Sequence, residues 1–175
     1  MNETLILTLI GDDRPGLVEL VSQLIADRQG QWLESQFSRL EGKFAGILQV
    51  SVAIEQRPAL EQDLRSLVQR GVRVVVEQAA PVMQVPCYPL TLRFVGLDRL
   101  NVVADISEVL NRYEVTILSL NSHCAPAPMS NENLFHADFD VRVPLSVGRN
   151  VLCEALEALT PELMIDLESA EVCAV

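Results

Sequence analysis

Leu7-Thr8-Leu9-Ile10-Gly11-Asp12-Asp13-Arg14-Pro15-Gly16-Leu17-Val18 is the stretch whose reading decides the fold. It starts as a short apolar strand, breaks in a polar turn, and opens a helical stripe continued by Leu20, Val21, Leu24 and Ile25. The run Leu92-Arg93-Phe94-Val95-Gly96-Leu97-Asp98-Arg99 echoes it 85 residues later, ahead of a second stripe made by Val102, Ile106, Val109 and Leu110. Two copies at this period indicate tandem domains, because a solenoid needs three or more shorter units.

Working outward through the first copy, Thr4 to Ile10 reads as a strand from the middle of a sheet. Pro15 suits the first turn of a helix, where its missing N–H is no loss, and Gly30 suits the helix's C-terminal cap. Residues 31–40 read as a second strand with poor alternation, followed by the turn Glu41-Gly42-Lys43. Leu48, Val50, Val52 and Ile54 then alternate with Gln49, Ser51 and Ala53, the pattern of a half-buried strand. Pro58 opens a second helix with Leu60, Leu64, Leu67 and Val68 on one stripe, Gly71 closes it, and Val72, Val74 and Val76 form a last strand. The order is β-α-β-β-α-β.

The proline-rich segment 81–89 is expected to link a first domain, 1–80, to a second, 90–175. In the second copy Phe135, Ala137, Phe139, Val141 and Val143 alternate cleanly with polar residues. Val151, Leu152, Ala155, Leu156 and Leu159 form its second helix, and Leu163 to Glu168 its last strand. The loop 125–133 is longer than its counterpart and expected to be mobile. This order folds most simply as an α+β protein of two ferredoxin-like modules, each a four-stranded antiparallel sheet with both helices on one face.

The chain has 175 residues, 24 acids against 13 bases, and a formal charge of −11. Nucleic-acid binding draws much of its affinity from Lys and Arg on phosphates, so direct contact with DNA is not expected, nor is binding to anionic membranes. Any control of a gene is expected to run through another protein. The apolar run Leu5 to Ile10 is too short for a signal core or a membrane span. Cys87, Cys124, Cys153 and Cys173 are widely spaced and read as free thiols, so cytoplasm is the expected compartment.

The turn Gly11 to Gly16 is the main candidate for chemistry. It leads into a helix N-terminus, whose free N–H groups and dipole favour an anion such as a carboxylate. Asp12 or Asp13 is placed to hold an ammonium group, Gly16 admits a ligand close to the backbone, and Asp13 is also a possible helix cap. A plain capped turn fits the same residues. The second turn, Gly96 to Asn101, has Leu-Asn in place of Pro-Gly and reads as structural. His123, Cys124 and His136 fit no zinc spacing, and His136 falls on the polar side of its strand. No acid, base and nucleophile converge, so no catalytic residue, metal or cofactor is expected. Trp32 belongs either to the core or to an interface between modules or chains, the interface being preferred.

A βαββαβ unit with Gly-x-Asp-Arg-Pro-Gly-Leu-Val between its first strand and first helix resembles an ACT domain. Two in tandem resemble the glycine cleavage system transcriptional repressor group of bacteria. The resemblance implies a non-catalytic regulator that binds an amino acid, glycine among the candidates, and that acts on a DNA-binding activator protein as a homo-oligomer. In such domains the ligand commonly lies between two ACT units, against the turn before the first helix and the facing second strand. Carried over, the ligand residues are Asp12, Asp13, Arg14, Pro15, Gly16 and Leu17, with Asp98, Arg99 and Asn101 as weaker equivalents. The alternative is an ACT-type oligomerisation or adaptor protein that binds no small effector.

Overall fold

The computed structural model describes residues 1–80, 85–127, 132–159 and 164–168. The chain divides into two compact units, Met1–Val82 and Met83–Val175. The first unit runs β1 (Asn2–Asp12), α1 (Leu17–Asp27), β2 (Gln31–Leu40), β3 (Lys43–Ala53), α2 (Arg57–Ser66), a 3-10 turn (Leu67–Arg70) and β4 (Val72–Gln78). The second runs β5 (Cys87–Leu97), α3 (Val102–Arg112), β6 (Thr116–Pro126), β7 (Asn133–Pro144), α4 (Arg149–Glu157) and β8 (Met164–Glu168). Each unit is one antiparallel sheet, ordered β2-β3-β1-β4 and β6-β7-β5-β8, so both have the expected ferredoxin-like topology.

Alternation explains the layering. In the first unit Leu5, Leu7 and Leu9 of β1 and Leu48, Val50 and Val52 of β3 meet Leu17, Val21, Ile25, Leu60 and Leu64 of the helices in one core. In the second, Leu90, Leu92 and Phe94 with Phe135 to Val143 meet Ile106, Val109, Leu110, Leu152 and Leu156. Burying these side chains is the main stabilising contribution. Phe94 and Phe139 pack edge to face there, 5.4 Å apart.

The sequence repeat is also a conformational repeat. Gly16 and Asn101 both stand in the left-handed region, at φ 88° and 69°. Gln29 and Glu114 do too, each at φ 56°. Both second strands carry a bulge at the same place, between Trp32 and Glu34 and between Ile117 and Ser119.

Several expectations need correction. Pro15 lies outside α1, because the left-handed Gly16 breaks the helix before it. The left-handed cap of α1 is Gln29, not Gly30; Gly30 donates to the Ile25 carbonyl over 2.8 Å and leaves no room for a Cβ, which would sit 2.9 Å from Ile25 Cγ2. Ile54, Val68 and Val151, assigned to apolar stripes, are exposed.

Cys87, Tyr88 and Pro89, at the end of the expected linker, pair with Pro144, Val143 and Arg142. Of the expected loop 125–133, Ala125 and Pro126 end β6 and Asn133 starts β7; residues 128–131 lie outside the described residues, as do 81–84, Leu163 and Cys173. Cys87, Cys124 and Cys153 are free thiols. No helix among the described residues is long and apolar enough to cross a membrane.

Candidate functional site

β1 ends at Asp12 beside Lys43, its partner in the β1–β3 register. The Lys43 ammonium hydrogen-bonds the Asp12 carboxylate and, with its charge, holds that carboxyl below the ordinary range. A depressed carboxyl pKa favours the native state above the ordinary value, and that benefit fades as pH falls through the folded one. In a Lys43→Met chain the Asp12 carboxyl, followed by carbon NMR through an acid titration, is expected to move up to the ordinary range. An unchanged midpoint would mean that the pair does not form in solution.

Asp13 follows with its N–H on the Gly42 carbonyl, 2.8 Å away, and its carboxylate 3.2 Å from Arg39 Nε on β2. These two contacts tie the turn to the β2–β3 hairpin. They also correct one expectation, because no side chain caps α1 and Asp13 is engaged elsewhere. The Arg14 guanidinium reaches to the Arg70 carbonyl and so fastens the turn to the end of the 3-10 turn before β4. Leu17 is buried in the core, which leaves its backbone as its contribution to a site.

Two shallow clefts flank this turn. One of about 450 Å³ is bordered by Arg14, Pro15, Gly16, Leu20, Gln23 and Arg70. The other, of about 260 Å³, is bordered by Asp13, Arg14, Gly16, Val18, Arg39 and Phe44, and Glu19 touches both. Arg39 lies over the Phe44 ring at 6.0 Å, and Phe44 stacks on Phe37 at 5.2 Å. The site therefore combines an uncapped helix start, which favours a carboxylate, with the acids Asp13 and Glu19, which favour an ammonium. Arg39, Phe44 and Arg70 were not picked out from the sequence. They reach the turn through the hairpin and through the β4 crossing, which no local pattern reveals.

The second turn keeps the backbone and the Asp-Arg pair but loses the charged partners around it. Asp98 donates its N–H to the Asn133 carbonyl at 2.9 Å, just as Asp13 does to Gly42. Its side chain faces Cys124, which occupies the position that Arg39 holds in the first unit. Desolvation first, then the Asp98 carboxylate, pushes the Cys124 thiol up and makes it a poorer nucleophile. Arg99 turns back onto Asp105 of α3 at 2.7 Å. In place of Asp12 and Lys43 stand Leu97 and Leu134. Asn101 repeats the conformation of Gly16 but adds a side chain.

His123 and His136 are direct cross-strand partners whose rings stack at 4.9 Å and 6°. Cys124, next in sequence, points to the opposite face and joins neither. Among the described residues no three metal-binding side chains gather. Trp32 is half-buried against the first core, with its ring 5.9 Å from Phe37 and its Nε1 donating to Ser35 Oγ at 3.3 Å.

The fold and its repeated strand–helix turn define a tandem protein of two ACT-like units. Residues 3–77, within the first unit, match the ACT domain family, and the second unit repeats the first unit's strand order. Two solved structures align over nearly the whole chain. One is an unknown protein from Galdieria sulphuraria, at TM-score 0.83 and 24% identity, covering 98% of this chain and 100% of that one. The other is a "putative glycine cleavage system transcriptional repressor", at TM-score 0.72 and 19% identity, covering 97% and 99%. At such identities the likeness is one of fold. No curated protein matches the chain in sequence.

Proposed function

We propose that the chain is a non-catalytic, amino-acid-responsive regulator of the cytoplasm that represses glycine cleavage genes by contacting a DNA-binding activator protein. The observation that carries the effector half is the first turn. A glycine held at φ 88° opens an uncapped helix start, with Asp13, Glu19, Arg14 and Arg39 around it. An amino acid fits this arrangement with its carboxylate on the N–H groups of Leu17 to Glu19 and its ammonium on Asp13 or Glu19. The effector acts by binding two states of the protein unequally, without which it would shift nothing. The acidic charge of −11 supports contact with a protein in preference to DNA, and the repressor-named structure shares the tandem architecture.

A thermal-shift titration against glycine, serine and the other amino acids tests this reading. Ligand at about a hundred times its dissociation constant adds roughly 2.7 kcal/mol to the native state, and one selective shift is the expected result. A flat panel at millimolar concentration would refute the effector and favour the adaptor reading. One observation speaks for that second reading: the first unit leaves an apolar sheet face open.

A further inference from the structure

We infer that the open face of the first sheet is a self-association surface, stacked face to face on the same sheet of a second copy. The helices cover one face of each sheet; the strand residues between the core positions form the other. In the first unit that face has a central row of Gln36, Ile47, Thr8 and Val75, directly paired across β2, β3, β1 and β4, with the apolar side chains on the three strands β3, β1 and β4. On either side of Thr8 along β1 stand Ile10 and Ile6. Ile47 and Val75 are 52% and 57% exposed.

The second unit is an internal control. Its central row, at the same positions of the same topology, is Asp138, Arg93 and Asp166. Arg93 pairs with Asp138 at 3.6 Å and with Glu168 at 2.7 Å. Asp140 on the same face accepts from Thr91 at 2.8 Å and Ser119 at 2.7 Å. That face is charged and carries its own ion pairs and hydrogen bonds, as a solvated antiparallel sheet should. The apolar face is thus not a property of the fold. It belongs to one copy, and contiguous exposed apolar surface of this kind marks a binding site.

Charge complementarity names the occupant. Arg73 and Glu77 sit on the apolar face one row to either side of Val75, with Arg73 beside Ile10 and Glu77 beside Ile6. Neither has an ion-pair partner among the described residues. A two-fold axis through the central row, perpendicular to the strands, lays each row on its mirror row. Arg73 of one copy then meets the partner copy's Glu77, and Glu77 its Arg73. The same operation sets Ile10 against Ile6 and leaves Ile47, Thr8 and Val75 on the axis. An isologous contact requires this self-complementarity. The area also fits: β1 and β3 have 11 residues each, β2 has 10 and β4 has 7, which at about 3.3 Å per residue and about 4.8 Å between strands gives about 600 Å² per copy, or about 1,200 Å² for the pair, the lower end of specific interfaces.

Sedimentation velocity on the full chain, without amino acids, is the test. The wild type is expected to approach twice its 19.4 kDa chain mass at micromolar concentration. Ile47→Asp, which copies Asp138 of the second unit, is expected to weaken the dimer roughly 100-fold or more while keeping the wild-type circular dichroism, because a charge is stranded in the apolar centre. Arg73→Glu and Glu77→Arg are each expected to weaken it, and the double exchange to restore it. A wild type monomeric throughout, or an Ile47→Asp dimer of unchanged affinity, would overturn the inference; a double exchange without recovery would overturn the two-fold register. None of these readouts depends on an effector, so a flat amino-acid panel leaves them intact.

Discussion

Replacing Gly16 with valine is expected to remove the effector-dependent thermal shift and to lower the melting temperature of the chain, whereas Gly16→Asn is expected to remove most of the shift and leave the fold intact. The backbone at Gly16 is left-handed, φ 88° and ψ 2°. A side chain costs about 1–2 kcal/mol there, and a β-branched residue is a real outlier in that region. Asparagine is tolerated, and the chain itself shows it: Asn101 holds φ 69° and ψ 8° at the equivalent position of the second unit. Nothing in the protein resists the added atoms, since the nearest neighbour to a Cβ at Gly16 is Glu19 Oε2 at 3.9 Å. They project beside the uncapped N–H groups, which a carboxylate must approach to about 2.7–3.2 Å to bond. Calorimetric titration with glycine and with serine should show Gly16→Asn at least about tenfold weaker, equivalent to roughly 1.4 kcal/mol. Wild-type affinity in both variants would move the site away from this turn.

The same pair of residues shows how far the sequence could be read. Pro15-Gly16 and Leu100-Asn101 differ in chemistry, yet each supplies one left-handed residue before a helix. The repeat was legible because Leu92 to Arg99 aligns with Leu7 to Arg14 without a gap and keeps its Leu, Gly, Asp and Arg at the same places. β7 was legible because Phe135 to Val143 alternate without interruption against the helices. β2 was hard to read for a physical reason: the bulge at Leu33 shifts the phase, so that Trp32 and Phe37 both face the core although they stand an odd number of positions apart. The helix start was misplaced by two residues because Pro15 is as acceptable in a turn as in a first helical turn.

Six candidate residues of the first turn could be named from their run alone, but not their partners. Arg39 and Lys43 come to Asp13 and Asp12 across the hairpin, and the Arg70 carbonyl comes to Arg14 from β4's edge. In the second unit Cys124 replaces Arg39 opposite Asp98. Only register reveals that the first turn has charged partners on the hairpin and the second does not. The open faces teach the same lesson, since Ile47 and Asp138 are equivalent through strand pairing and not through any shared motif.

Gly46→Ala is expected to destabilise the first unit by about 1–3 kcal/mol as an overpacking change, and Gly46→Val by more. Gly46 sits opposite Phe37 in the β2–β3 register, and the Phe37 ring occupies the space where a Cβ would stand. A Cβ there would stand 2.1 Å from Phe37 Cδ1 and 2.6 Å from the Gln36 carbonyl oxygen. The ring must swing away, and it has little freedom to do so. It stacks on Phe44 at 5.2 Å on one side and touches Trp32 at 5.9 Å on the other. Phe44 in turn carries Arg39, the partner of Asp13, so the change reaches the candidate site through one aromatic row. Trp32 is the only tryptophan in the chain, which makes its fluorescence a direct reporter; a red-shifted emission is expected along with a fall in melting temperature. For a unit of this size each kcal/mol corresponds to about 4–8 °C. Phe37→Ala removes the ring and loses its packing, so the two changes share one contact and should not add. The double variant Phe37→Ala/Gly46→Ala is expected to lose clearly less than the sum of the singles, yet not to recover fully, because the contact with the Gln36 carbonyl remains. Strict additivity would show that ring and glycine are not coupled, and the aromatic row would then be no link between the sheet and the turn.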